Sequence, residues 1–405
     1  MTDFDDPGRF VDGPRLPAHV YVHVPFCASK CDYCDFSSVA GASPATIRAV
    51  FTGVKTQLTR WQTTGLEGVL ETVYVGGGTP SLVVDEVAGV LGRIAEQFVV
   101  HPRAEITVEA NPDSLISDAV RTLRDAGTTR ISVGVQSFDD GVLRMLGRRH
   151  DARRASLACE AVVESGLALS VDLICGVPGQ TMASWAATLE RVLATGARHV
   201  SVYPLAIEEG TPLAAAVSTG LVAEPDPDEA AEMMVLAEEL LGQRGIARYE
   251  VANYAAAGCE SVHNTAYWTG APYLGVGPAA HGMLDAATAR AVGLLGDAGD
   301  AEREAARVRY ANAADIDDWL TLHGDTVELL SSDEARREDV MLGMRLTRGI
   351  PAEQVSAAGL DDVFASLARD ALVELTGADG AARWRATRRG WLLGNEVFGR
   401  IWAGE

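Results

Sequence analysis

A parallel α/β sheet is the fold this sequence predicts, on three observations. Short apolar runs alternate with stretches of helical period from Ala18 onward. The intervals between runs are long enough for crossover helices, and Gly127, Gly166 and Gly196 stand where such helices should end. The runs predict six strands, at 19–24, 72–75, 105–109, 130–135, 170–174 and 199–202. Between them, 44–60, 85–98, 116–126, 140–146, 152–165 and 183–194 have the length and apolar spacing of helices. Repeated βα units close into a barrel or spread as a doubly wound sheet, and in both cases ligands gather at the C-terminal edge of the strands.

After about Thr211 the pattern changes. Acidic 224–239 reads as a linker and helix, 249–281 is rich in Gly, Pro and aromatics without clean periodicity, and 285–309 is Ala/Gly-rich surface connection. Residues 311–405 return to helices. The expected division is a tail at 1–17, a βα domain at 18–240, a flap or interdomain segment at 241–310 and a small helical or winged-helix-like domain at 311–405.

Charge and hydropathy exclude several classes. The 34 basic against 56 acidic residues leave −22, which repels phosphate backbones and anionic membrane surfaces, so nucleic acid is not an expected partner. Any membrane contact is expected only peripherally, through a partner. No run of 18 or more apolar residues occurs, and the start, with Asp3, Asp5 and Asp6, lacks the basic and apolar regions of a signal peptide; a cytoplasmic protein is expected. With six cysteines, three of them within eight residues, a disulfide framework is a poor reading.

Those three, Cys27, Cys31 and Cys34, follow the first strand with spacing C-x3-C-x2-C, which lets one loop reach three corners of a cubane. Closed clusters and structural zinc sites generally take four ligands, and no fourth thiolate is near. An iron left open can bind a substrate's amino and carboxylate groups. A zinc loop and unligated thiols are the alternatives. The glycines of Gly76-Gly77-Gly78-Thr79-Pro80 end the second strand and let backbone groups approach a ligand. Glu109, Gln136, Arg148 and Asp172 put polar groups at or after later strand ends, where strand interiors would not tolerate them unpaired.

Together these features resemble the radical S-adenosylmethionine superfamily, whose 4Fe–4S cluster binds S-adenosylmethionine through its open iron. The resemblance implies a partial (β/α)6 TIM-like barrel with a C-terminal α+β or winged-helix-like domain. It is carried by YVHVPFC, GGGTP, EANP, GVQSF, VDLICGVPGQT and HNTAYW between Tyr21 and Trp268, and continues in RYAN, GMRLTRGI and GNEVF. By this resemblance Gly77, Gly78 and Thr79 match the motif that binds the methionyl amino group. Tyr21, Glu109, Gln136, Arg148, Asp172 and Ala206 match further positions that line the S-adenosylmethionine pocket. Glu109 is expected on the methionyl ammonium, Arg148 on its carboxylate and Asp172 on the ribose.

Within the superfamily the chain is most similar to the HemW-type heme chaperones, relatives of oxygen-independent coproporphyrinogen dehydrogenase. The dehydrogenase carries a fourth cysteine where Phe36 stands, and a longer N-terminal extension than the residues before His19. Oxidative decarboxylation of coproporphyrinogen III is therefore the alternative, and heme binding and transfer to an apo-haem protein, such as a respiratory one, the expectation. His263 of HNTAYW matches the motif associated with heme binding, and an imidazole ligates heme iron readily. The residues alone read equally as a packed, hydrogen-bonded core cluster. Cys159, Cys175 and Cys259 read as buried thiols. The sequence names neither an electron donor nor a heme acceptor, and leaves a homodimer open.

Overall fold

A computed structural model describes residues 13–296, 299–377 and 382–405. The acidic start and most of the 1–17 tail thus lie outside the described residues. All six predicted strands are present: β1 (His19–Val24), β2 (Val69–Gly77), β3 (Val99–Ala110), β4 (Arg130–Gln136), β5 (Ala168–Cys175) and β6 (His199–Pro204). They pair in parallel, each beside the next in sequence. The helices are α1 (Pro44–Thr63), α2 (Val84–Gln97), α3 (Ser117–Asp125), α4 (Asp140–Met145), α5 (Ala152–Glu164) and α6 (Met182–Ala194), followed by α7 (Pro212–Ser218) and α8 (Pro227–Gly242). Local chemistry starts several of them: the Ser43 side chain accepts from Thr46 N ahead of Pro44 in α1, and Thr181 and Ser184 form a capping box on α6.

The segment at 249–281 is not an irregular flap. It supplies β8 (Asn253–Ala256), a helix α9 (Val262–Trp268) and β9 (Tyr273–Val276), just after β7 (Ile246–Arg248). Likewise 285–309 is more than surface connection, because β10 (His281–Asp285) and β11 (Ala305–Ala311) flank it and pair with each other, and β11 pairs with β12 (Thr326–Ser331). Several of these strands are too short for alternation to be read from sequence. The open sheet runs β12-β11-β10-β9-β1-β2-β3-β4-β5-β6-β8-β7. β9 lies parallel beside β1, and the outer pairings on both flanks are antiparallel.

The two faces of the sheet differ because the strands alternate. Val20, Val22 and Val24, Val73 and Val75, Ile131, Val133 and Val135, and Val171 and Leu173 are all buried in one core with Leu58 of α1, Leu91 of α2 and Val162 of α5. Each such side chain contributes about 1.5–3 kcal/mol by leaving water. The opposite face carries His19, Tyr21, His23, Thr72, Tyr74, Glu105, Glu109, Arg130, Ser132 and Asp172. Register sets these side by side: His19 opposite Thr72, Tyr21 opposite Tyr74, Thr72 opposite Glu105, Glu109 opposite Ser132.

The C-terminal part has its own core around Val355, Phe364, Leu367 and Val397. Helices Ser332–Gly343, Ala352–Ala357 and Asp361–Arg369 precede an antiparallel hairpin of Val373–Thr376 and Arg383–Ala386, with Ile350–Pro351 on its edge, a winged-helix pattern. Buried charges clamp this part to the sheet. Arg307 of β11 donates to Glu338 Oε2 at 2.6 Å and to Asp339 Oδ1 at 2.7 Å, and Arg309 donates to Glu338 Oε1 at 2.6 Å. The Arg307 and Glu338 side chains are each 3% exposed.

Candidate functional site

The C-terminal ends of β1 to β5 converge on the cysteine loop. Cys27, Cys31 and Cys34 are partly buried free thiols, and Cys34 N donates to Cys31 O at 3.2 Å. Two of the sulfurs face donors: Thr79 Oγ1 at 3.6 Å from Cys27 Sγ, and Arg148 Nη1 at 3.5 Å from Cys31 Sγ. Asn111 joins the two arms, its Nδ2 donating to Thr79 Oγ1 at 3.0 Å and its Oδ1 accepting from Arg148 Nη2 at 2.5 Å. Arg148 also donates to Gly134 O at 2.7 Å. Donors of this kind are the partners that sulfur ligands of iron take. Among the described residues no three His, Cys, Asp or Glu side chains form a group that could hold a single metal ion. Three thiols along one loop, two of them with donors, have the ligand chemistry that iron–sulfur clusters take.

Beside the loop the backbone makes a close cradle. Gly78 N donates to Val24 O at 2.8 Å and Thr79 N to Phe26 O at 2.7 Å. Gly77 has φ +111°, and a Cβ there would run into the His23 ring. A Cβ on Gly76 would stand 2.8 Å from the Glu109 carboxyl carbon. Only glycine lets the second strand end this close to its neighbours.

Two carboxyl groups lie inside this edge. Glu109 accepts from Tyr74 Oη at 2.8 Å and from Gly77 N at 2.9 Å. Burial pushes it up from 4.5 to about 7, helped by the nearby Asp172 charge and opposed by those two donors. Asp172 accepts from Ser132 Oγ at 3.0 Å and from Ser201 Oγ at 2.7 Å, and burial raises it too. Gln136 sits at a register shift between β4 and β5 with φ 62°, a left-handed conformation uncommon for a side chain of its size. Tyr21 stacks on Tyr74 with ring centroids 6.1 Å apart, and its hydroxyl meets His23 Nδ1 at 3.0 Å.

Ala206 stands apart from this group, and His263 joins it through Tyr74. Ala206 is exposed on the loop after β6, next to Leu205, whose N–H donates to Cys175 O at 2.8 Å. His263 lies deep on the polar face, 1% exposed. Its Nδ1 meets Thr72 Oγ1 at 2.7 Å, its Nε2 meets Tyr267 Oη at 3.0 Å, and it stacks on Tyr74 at 5.1 Å. Burial lowers its pKa well below the usual imidazole value and keeps it neutral. The start of α9 is fixed by Glu105, which accepts from Val262 N and His263 N at 3.1 Å each and pairs with Arg130 at 3.0 Å. Negative charge at a helix start is favourable, here in a buried setting.

Tyr74, Asn111, Ser132, Ser201 and His23 hold the site together and are missing from the sequence-predicted set. Their signal is period two: polar side chains recurring on one face of strands whose other face is continuously apolar.

The comparisons with known proteins follow this division. Residues 21–192 match the family model of the Radical SAM superfamily, and residues 330–393 that of the HemN C-terminal domain. The chain is 36% identical over 396 residues to the heme chaperone HemW of Mycobacterium tuberculosis (strain CDC 1551 / Oshkosh), covering 95% of this chain and 94% of that one. It is 31% identical over 393 residues to the heme chaperone HemW of Bacillus subtilis (strain 168), covering 94% and 97%. Among solved structures, coproporphyrinogen III oxidase (HemN) from Escherichia coli aligns with a TM-score of 0.75 at 21% identity, over 96% of this chain and 90% of that one, a likeness of fold.

Proposed function

The chain belongs to the HemW family of heme chaperones within the radical S-adenosylmethionine superfamily, and from that premise we propose that it binds heme and hands it to an apo-haem protein in the cytoplasm. In this reading Cys27, Cys31 and Cys34 carry a 4Fe–4S cluster on whose open iron S-adenosylmethionine exchanges. The observation that carries it is the joined arm Cys27–Thr79–Asn111–Arg148–Cys31 beside the glycine cradle, in a chain related to heme chaperones along nearly its whole length.

When bound, the cluster supplies the electron for reductive cleavage of a sulfonium. The protein's own groups bind and orient. The Gly77–Thr79 backbone admits the methionyl head closely, and Glu109, ionising near neutrality, accepts from its ammonium. Arg148, anchored on Asn111 and Gly134, presents positive charge for its carboxylate, and Asp172, steadied by two serines, accepts from ribose hydroxyls. His263 serves as the iron ligand of heme, its imidazole kept neutral by burial; ligation requires its Nε2 to leave the Tyr267 hydroxyl.

Hemin titrated into purified protein should give a stable Soret band that weakens in His263→Ala, and an unchanged spectrum would move the ligand elsewhere. Anaerobic incubation of the reconstituted protein with coproporphyrinogen III and S-adenosylmethionine should leave the porphyrinogen intact. Protoporphyrinogen formation would overturn the chaperone-only reading in favour of oxidative decarboxylation.

A further inference from the structure

Two of the motifs that carry the likeness toward the C-terminus, GMRLTRGI from Gly343 and GNEVF from Gly394, have no part in the site above. They meet around one hollow of about 320 Å³ between the sheet domain and the C-terminal part. Arg345 and Phe398 come from these motifs, and Trp391 and Val251 add apolar wall. The hollow is basic in a chain of −22: Arg248, Arg345, Arg385 and Arg388 line it against Glu238 and Glu374.

The arginines differ in what holds them. Arg248 pairs with Glu238 at 2.9 Å and lies 3.9 Å over the Trp391 ring. Arg385 pairs with Glu374 at 2.7 Å, and Arg388 reaches Glu238 at 3.4 Å. Although the buried Glu250 carries charge close enough to support it, Arg345 makes no ion pair among the described residues. It donates to Met341 O at 3.1 Å and lies between two rings, 4.1 Å over Phe398 and 5.1 Å over Trp268. Burial lowers its pKa, opposed by the Glu250 charge. The buried indole N–H of Trp268 has no acceptor among the described residues either. An oriented guanidinium against aromatic faces, making no ion pair among the described residues, is an arrangement that can receive a carboxylate on a flat apolar body.

We infer that this hollow seats the propionate edge of heme, with Arg345 as the carboxylate partner and Trp391 and Phe398 as the apolar wall; the inference rests on the heme-binding reading above. The hollow admits an edge rather than an enclosed macrocycle, which suits a cargo that must be surrendered. α9 runs from His263 to a contact with Arg345. It carries His263 near its start and Trp268, against Arg345, at its end, about 7.5 Å farther along the axis.

Soret titrations of the anaerobically reconstituted protein with hemin and with hemin dimethyl ester, whose propionates are blocked, test this. Hemin should bind about ten-fold more tightly than the ester, as a charge-assisted pair would give. Arg345→Gln should lose that preference while binding the ester as before, and Arg345→Lys should keep part of it. Equal affinity of the unaltered protein for hemin and ester overturns the seat, as does a preference that survives in folded Arg345→Gln. If Arg345→Gln does not fold, the comparison of hemin with ester in the unaltered protein decides alone. Absence of any Soret band overturns the heme reading together with the seat, whereas a band without carboxylate preference overturns the seat only.

Discussion

Glu109 offers a quantity that can be worked from the structure. Its carboxyl, part-buried, ionises at about 7 in place of 4.5, so between those values the folded chain holds a proton that the unfolded chain has released. A raised carboxyl contributes stability that is fully present below the unfolded value and is lost as pH rises through the folded one. The complete loss amounts to about 3 kcal/mol, and about 2 kcal/mol of it falls between roughly pH 5.5 and 8.5. Glu109→Gln removes the titration while keeping the shape. The amide satisfies only one of the donors Tyr74 Oη and Gly77 N, but that cost does not depend on pH and cancels when the two proteins are compared across pH. Urea unfolding of both cluster-free proteins across this range should thus find the variant gaining about 2 kcal/mol relative to the parent as pH rises. A difference that is flat in pH, or that moves in the parent's favour, would refute a neutral Glu109 in the folded chain.

Other changes test neighbouring parts of the same edge. Cys31→Ala should abolish the brown colour of the reconstituted protein and about four irons per chain, by iron and sulfide analysis; retention of the irons would defeat the cluster assignment. Gly77→Ala forces a side chain into a left-handed backbone and against the His23 ring, and should cost about 3 kcal/mol or more in unfolding experiments. Glu105→Ala strips the buried Arg130 of its counter-charge and the start of α9 of its acceptor, and should cost about 3–5 kcal/mol, while an exposed pair such as Arg121–Asp118 should cost under about 1 kcal/mol when broken.

The sequence disclosed what repeats and what clusters. Apolar runs six times over announced β1 to β6, since a parallel strand buries a whole face and must be written in Val, Ile and Leu. Cys27, Cys31 and Cys34 were legible because three thiols so close together have few other uses. The partners of these residues were not. Asn111 joins Thr79 to Arg148 across two strand ends, and Ser132 and Ser201 meet Asp172 from the strands on either side, contacts that exist only once register is set. The short strands β7 to β10 escaped because three to five residues carry no period. His263 was recognised as a residue of interest, but its depth, with both ring nitrogens engaged, follows from α9 lying along the polar face, which no local pattern encodes.

The clamp between β11 and the C-terminal helix bears on how this molecule can be taken apart. The two family models end and begin at residues 192 and 330, which invites cutting the chain near the second boundary to study each half. Glu338 and Asp339 would depart with the C-terminal piece, and Arg307 would be left on the uncovered sheet without either counter-charge. Such a fragment would report on its own injury, because a pair that is buried in the whole protein would be broken and the face it covered laid open. Neutralising Arg307 in the same step, or keeping the chain whole, is the sounder way to ask what each half does alone.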